Sequence, residues 1–283
     1  MTLPADTHVH SEWSWDTGGP RSDAAGRMRE TCRVASRIGL ATLVFTEHLD
    51  LDPEWRADPG DLLPHQRHLL NDAGIVALPP LDVDGYLDSI DRCRHEFPEL
   101  HIMTGLEYGQ PHLNDERAAE LLGRGVFDRV NGSLHTLAAA AGRSEPNTLF
   151  RLQPPDDVIR AYLDEIPRMV AGSDSFAVFT HIDYPVRSWP TTTAGPFDPK
   201  RFEGEYRSAM RSLAESGRAL EMNTRRIWPW IPQWWSEEGG RAISFGSDAH
   251  TPDAIAAGFP EAMQMVERFG FRAGSRPEDF WTR

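Results

Sequence analysis

Cysteine is almost missing from this chain, with two in 283 residues. Cys32 and Cys93 stand far apart and form no CxxC pair, so a disulfide framework is not expected and a reducing cytoplasm is the expected compartment. Both read as inert buried thiols. Long apolar runs are missing too: none approaches the roughly 18 residues a membrane span needs. The opening MTLPADTHVH has no basic stretch ahead of an apolar one, so no signal peptide is expected. Positive charge is scarce, with 29 Lys and Arg against 43 Asp and Glu and a formal charge of −14. Such a field repels long polyanions and offers no basic stripe for DNA or RNA. Small phosphate esters stay admissible, because bound metal ions reverse the field inside a site. Repeats and low-complexity tracts are absent as well. What is left is an ordinary globular composition, 40% hydrophobic and 25% charged, expected to fold as a single domain over 1–283.

Short apolar runs rich in β-formers recur along the chain, each ending in a polar or ionisable residue: ATLVFTEH (41–48), HIMTGLEYG (101–109), FDRVNGSLH (127–135), FAVFTHIDYP (176–185), RALEMN (218–223) and AISFGSDAH (242–250). Near-continuous apolar runs bounded by turn signals suit buried parallel strands. Helical periodicity fills 22–39, 83–97, 154–170, 198–217 and 251–270, with Gly39, Gly217 and Gly270 as stop signals. With DTHVH at the start this makes seven βα-like units, which predicts a parallel barrel or a doubly wound sheet. The stretches 49–82, 136–153, 185–197 and 224–239 read as irregular, and 269–283 as a C-terminal tail.

Chemistry concentrates at the strand ends. In a strand, residues two apart share a face, so Asp6, His8 and His10 point the same way. Beyond them lie Glu47 and His48, Glu107, His135, His181 with Asp183, and Asp248 with His250. Of eleven histidines, six fall in these places. One alone reads as a hydrogen-bonded structural group. Gathered at one barrel mouth, so many buried ionisable groups would go unpaired unless cations sat among them. A multinuclear metal site resolves that conflict. Arg225 and Arg226, just past LEMNT, and Arg187, after HIDYPV, are candidate phosphate donors, since guanidinium matches phosphate with paired hydrogen bonds; the alternative for each is a surface ion pair. Trp228, Trp230, Trp234 and Trp235 either wall the pocket or pack their loop down, and interleaved prolines favour packing. His65, His68, His95, His101 and His112 lie off the pattern and read as surface or structural groups. Ser133 and Ser247 neighbour the candidate ligands, but neither sits in a G-x-S-x-G elbow.

The ordered set HxH, TEH, GLE, SLH, TH-x-D and SDAH resembles the PHP superfamily of metal-dependent phosphoesterases, over nearly the whole chain. FTEH (45–48), GLEYG (105–109) and NGSLH (131–135) look most like the histidinol-phosphatase branch. The resemblance implies an α/β fold, a distorted (β/α)7 barrel with three divalent metal ions (Zn, Mn, Fe or Co) at the C-terminal ends of the strands. By motif, His8, His10, Glu107 and Asp248 would take the first ion. Glu107 would bridge to a second held by His135 and His181. His48, His250 and Asp16 would hold the third, Asp16 standing where many members have histidine; carboxylate oxygen serves the same ions. Asp6 would orient an imidazole, with Glu47 and Asp183 in similar supporting roles. A water between two ions becomes acidic enough to attack phosphorus near neutral pH, and His250 or Asp183 would deliver the leaving-group proton. The expected activity is hydrolysis of a small phosphate monoester, L-histidinol phosphate first. A PHP activity on nucleotides or DNA 3′ ends and a non-catalytic binding module are the alternatives; no membrane partner is expected.

Overall fold

The computed structural model describes residues 2–283. In chain order its strands are β1 (Asp6–Val9), β2 (Thr42–Leu49), β3 (His101–Gly109), β4 (Arg129–Ser133), the short pair β5 (Leu137–Ala138) and β6 (Arg143–Ser144), then β7 (Val178–Phe179), β8 (Ala219–Asn223), β9 (Ala242–Gly246) and β10 (Trp281–Thr282). One curled sheet runs β1-β2-β3-β4-β7-β8-β9-β10, parallel from β1 to β9, with β10 antiparallel on β9. It closes on itself just beyond β9. There the His10 amide donates to the Ala249 carbonyl at 2.9 Å and the Asp248 amide to the His8 carbonyl at 2.8 Å. The result is the expected distorted barrel of seven parallel strands.

The helices are α1 (Arg27–Ile38), α2 (Val83–Glu96), α3 (Pro111–Gly123), α4 (Pro146–Leu152), α5 (Pro155–Gly172), α6 (Thr191–Ala194), α7 (Glu203–Glu215), α8 (Trp230–Glu237) and α9 (Phe259–Arg268). α1 starts five residues later than its periodicity suggests because Gly26 takes φ +75°, outside the helical region, and Glu12 accepts the Gly26 and Met28 amides there. Between barrel and helices lies the main apolar core. Tyr162, Ile166, Tyr206 and Met210 of α5 and α7 are fully buried, each side chain contributing about 1.5–3 kcal/mol.

Three features depart from the sequence expectation. α3, α4, α6 and α8 lie outside the periodic segments; α8 is only eight residues long, too short a window for a helical period to stand out in the sequence. The run 176–185 is a strand only at Val178–Phe179, because the Tyr184 amide turns back onto the His181 carbonyl at 2.7 Å. The tail is not loose: it supplies β10, and the Pro277 carbonyl accepts the Ala5 amide at 2.8 Å. The segment 49–82 carries a small core of its own, Trp55, Ala57, Leu62, Leu69 and Val76. No helix among the described residues is long and apolar enough to cross a membrane.

Candidate metal centre and cleft

β1 carries His8 on its face and His10 just past its end; β2 carries His48 and β3 carries Glu107. The exits of β4, β7 and β9 bring His135, His181, and Asp248 with His250. Asp16 arrives from the 3-10 turn Trp15–Thr17. Glu107 is the hub. Its Oε2 lies 3.2 Å from His8 Nε2, 3.3 Å from His10 Nε2 and 3.2 Å from His48 Nδ1; its Oε1 lies 3.0 Å from His135 Nε2 and 2.6 Å from His181 Nε2. Asp248 Oδ1 stands 3.8 and 3.5 Å from the Nε2 atoms of His8 and His10. Asp16 Oδ2 stands 2.7 Å from His250 Nε2 and 3.8 Å from His48 Nε2. His48 therefore lies between two donor groups, one around Glu107 and His135, the other with His10 and His250.

The far nitrogen of most of these rings is already spent. His8 Nδ1 donates to Glu221 at 2.6 Å, His135 Nδ1 to Asp50 at 2.8 Å and His250 Nδ1 to the Asp248 carbonyl at 2.9 Å. His10 Nδ1 donates to Ser14 Oγ at 2.9 Å, and that hydroxyl donates on to Glu47 at 2.6 Å. Each bond leaves the Nε2 lone pair facing the cluster, as a metal-binding imidazole requires. His8 Nε2, His10 Nε2 and Asp16 Oδ1 are buried with no hydrogen-bond donor among the described residues. Mixed imidazole and carboxylate donors with orphaned lone pairs fit Zn, Mn, Fe or Co.

Charge agrees with that fit. Burial would raise the Glu107 carboxyl, but the rings of His8, His135 and His48 outweigh it and hold the group well below its usual range. At Asp248 burial is likewise outweighed, by Arg187 and then His8. Burial pushes His181 down to about 4, leaving a neutral ligand. His8 moves the other way: Glu221 and Glu107 overcome burial and pull its pKa up. The cluster is short of positive charge, which metal ions would supply. Asp248 also holds φ +54°, a left-handed backbone conformation uncommon for residues other than glycine.

A cleft of about 520 Å³ opens over the cluster. Its lining includes Glu107, His135, His181, Asp248 and His250 on the floor, and Trp15, Trp55, Leu62, Glu145 and Tyr184 on the wall. Arg187 also lines it. Its Nη1 stands 2.8 Å from Asp248 Oδ2 as an ion pair, while its buried Nε and Nη2 find no acceptor among the described residues. Arg225 lines the same cleft, half exposed, 3.6 Å from Asp248 Oδ2.

Several sequence expectations need correction. Arg226 does not line the cleft; it donates to the Val186 carbonyl at 3.2 Å and braces the loop carrying Arg187. Asp6 orients no imidazole. It accepts the amides of Ser247 at 2.9 Å and Ala256 at 2.8 Å, pinning the chain beyond β9, with its pKa pushed up to about 6 by burial. Asp183 is buried off the cleft, accepting the Trp228 indole N–H at 3.0 Å. Burial raises its pKa, with Arg187 opposing. Trp230, Trp234 and Trp235 are core residues, so packing explains the tryptophan-rich stretch. Ser133 Oγ donates to Glu107 at 2.7 Å and is a support, not a nucleophile. Glu221 and Asp50 escaped the sequence reading. Their signals were a glutamate inside apolar ALEMN and an aspartate two past His48.

Comparison with known proteins follows the same lines. The family described as PHP domain matches residues 6–225. A Clostridium acetobutylicum protein named "Probable histidinol-phosphatase" is 23% identical, covering 93% of this chain and 92% of its own. A Deinococcus radiodurans protein of the same name is 27% identical, covering 96% of each. In fold, the chain is similar to histidinol phosphate phosphatase from Lactococcus lactis, solved with zinc, L-histidinol and phosphate. That match has a TM-score of 0.75 and 22% identity, and covers 99% of each chain.

Proposed function

Because this chain belongs to the PHP domain family, we propose that it is a metal-dependent phosphatase hydrolysing L-histidinol phosphate to L-histidinol and phosphate. The observation that carries this is a juxtaposition. Arg187, with two buried N–H groups unspent, shares one cleft with a carboxylate ringed by five imidazoles. One set of groups suits phosphate and the other suits divalent cations.

His8, His10, Glu107 and Asp248 would hold a first ion, Glu107, His135 and His181 a second, and His48, His250 and Asp16 a third. The ions supply charge for the phosphate oxygens and a water acidic enough to attack phosphorus near pH 7. Arg187 and Arg225 clamp the remaining phosphate oxygens; Asp248, paired with both guanidiniums, sets their position. On the wall, Glu145 accepts the Tyr184 hydroxyl at 2.7 Å and offers its carboxylate to the amino group of the leaving alcohol, while Trp15, backed edge-on by the buried Trp55 ring at 5.6 Å, presents aromatic surface to its ring. The names of the relatives support this substrate. The retention of a ligand at every motif supports an enzyme over a binding module.

Phosphate release after reconstitution with zinc or manganese tests the reading. The panel is histidinol phosphate, sugar and nucleotide monophosphates, and a short single-stranded DNA. A kcat/KM for histidinol phosphate about a hundredfold above the other esters is expected. Equal turnover of all of them would remove the substrate assignment, and none despite full metal binding would remove the activity.

A further inference from the structure

Two buried carboxylates outside the expected ligand set stand behind the imidazoles. Glu221, in the middle of β8, takes the His8 Nδ1–H at 2.6 Å on Oε1. Its Oε2 takes the backbone N–H of His181 at 2.8 Å and the amide of Asn223 at 3.0 Å. Asp50, just past β2, takes the His135 Nδ1–H at 2.8 Å on Oδ1. Its Oδ2 takes the Trp15 indole N–H at 2.9 Å and lies 3.3 Å from His48 Nδ1. Burying a carboxylate is costly unless it is met by donors, and both of these are fully met.

An independent observation concerns the backbone facing them. A Cβ on Gly246 of β9 would collide with Glu221 Oε1 and stand 2.6 Å from His8 Cβ. A Cβ on Gly109, the last residue of β3, would collide with Asp50 Oδ1 and stand 3.2 Å from His135 Nδ1. Neither glycine has a positive φ, so local backbone conformation does not call for glycine at either place. Space for the carboxylate does at Gly109; at Gly246 both the carboxylate and the His8 Cβ require it.

We propose that Glu221 and Asp50 are the positioning residues of the metal centre, and that Gly246 and Gly109 are the slots that admit them. Each carboxylate holds its histidine as the Nδ1–H tautomer, aims Nε2 at the centre and raises its basicity. Each also joins two ligand-bearing segments: Glu221 ties His8 of β1 to the backbone of His181, and Asp50 ties His135 to Trp15, the neighbour of Asp16. The centre is therefore braced in two halves that fail separately. This rests on the metal-centre reading above.

The test is zinc titration of the full-length apoprotein against a chromophoric chelator. The variants are Glu221→Gln, Asp50→Asn, Gly246→Ala and Gly109→Ala, each with an apoprotein Tm. Wild type should bind more than one equivalent. Glu221→Gln and Asp50→Asn should each weaken part of that binding by about 10–100-fold, with activity at limiting zinc restored by excess. Gly109→Ala should reproduce the Asp50→Asn defect, and the two combined should be no worse than Asp50→Asn alone. Gly246→Ala should show at least the Glu221→Gln defect, because it also presses on the His8 Cβ. Unchanged zinc affinity in both carboxylate variants, with wild type binding normally, overturns the inference and leaves the metal centre standing. A wild type that binds no zinc removes the metal-centre reading itself. If a variant fails to fold, the nitrogen NMR signals of the zinc-loaded wild type decide. Nδ1–H tautomers at His8 and His135 are expected, and Nε2–H at either overturns the assignment for that residue.

Discussion

The floor of the cleft is made of strand ends: Glu107, His135, His181 and Asp248 come from β3 and from the exits of β4, β7 and β9, and converge because the barrel aims them at one mouth. The wall is made of connections: Trp55 and Leu62 from the segment with its own small core, Glu145 at the head of α4, and Tyr184 and Arg187 from the 3-10 turn after β7. Floor residues are held by backbone ladders as well as by each other. Wall residues are held by turns and isolated bridges instead of long ladders, and by side chains such as Thr148 Oγ1 and the Arg151 guanidinium, each on Asp61 at 2.7 Å. The comparison teaches a division of labour common to barrels, in which strands carry chemistry and loops carry selection. Variants should divide accordingly: those on the floor lower kcat and metal content, and those on the wall raise KM.

The largest effect is expected from Glu107→Gln, which removes charge from the hub. We expect turnover to fall on the order of a thousandfold or more, with metal content reduced in elemental analysis. Wild-type turnover in that variant would break the distinction at its centre. Arg187→Ala comes next, with kcat/KM lowered on the order of a hundredfold; Arg187→Lys should recover only part, because a point charge cannot replace two directed N–H groups. Steady-state kinetics with bound metal measured in parallel checks this, and the metal content should not change. Tyr184→Phe frees the Glu145 carboxylate from its partner, and we expect about a tenfold rise in KM with kcat within about twofold. A fall in kcat alone would move Tyr184 to the floor. Arg151→Ala should have the smallest effect. It loosens the Asp61 latch, but the arginine is half exposed, so a KM rise of no more than about fivefold is expected.

Much of the floor was legible because strand periodicity is local. Two residues per repeat put His8 and His10 on one side whatever else folds around them. β3 runs over the 101–109 expected from its apolar run, with Glu107 in place. The supports were less legible. Asp6 shares the period of His8 and His10, yet its carboxylate meets the amides of Ser247 and Ala256, residues more than two hundred positions away that barrel closure alone brings near. Arg225 and Arg226 are adjacent and chemically identical; one lines the cleft and the other braces a loop, according to which way the chain leaves β8. The tryptophans at 230–235 fall in a helix of only eight residues, too short a window for its period to show in the sequence.

Residue order by itself determined the alternation of buried strands and amphipathic helices and the placing of imidazoles at strand ends. Both depend on neighbours two to four residues apart. Which group stands behind each imidazole was decided only in three dimensions. His8 finds Glu221 at a separation of 213 residues, and His135 finds Asp50 at 85. No local pattern encodes such pairs. They form because sheet closure sets β8 and β9 beside β1, and because two glycines leave room where a methyl group would block the carboxylate.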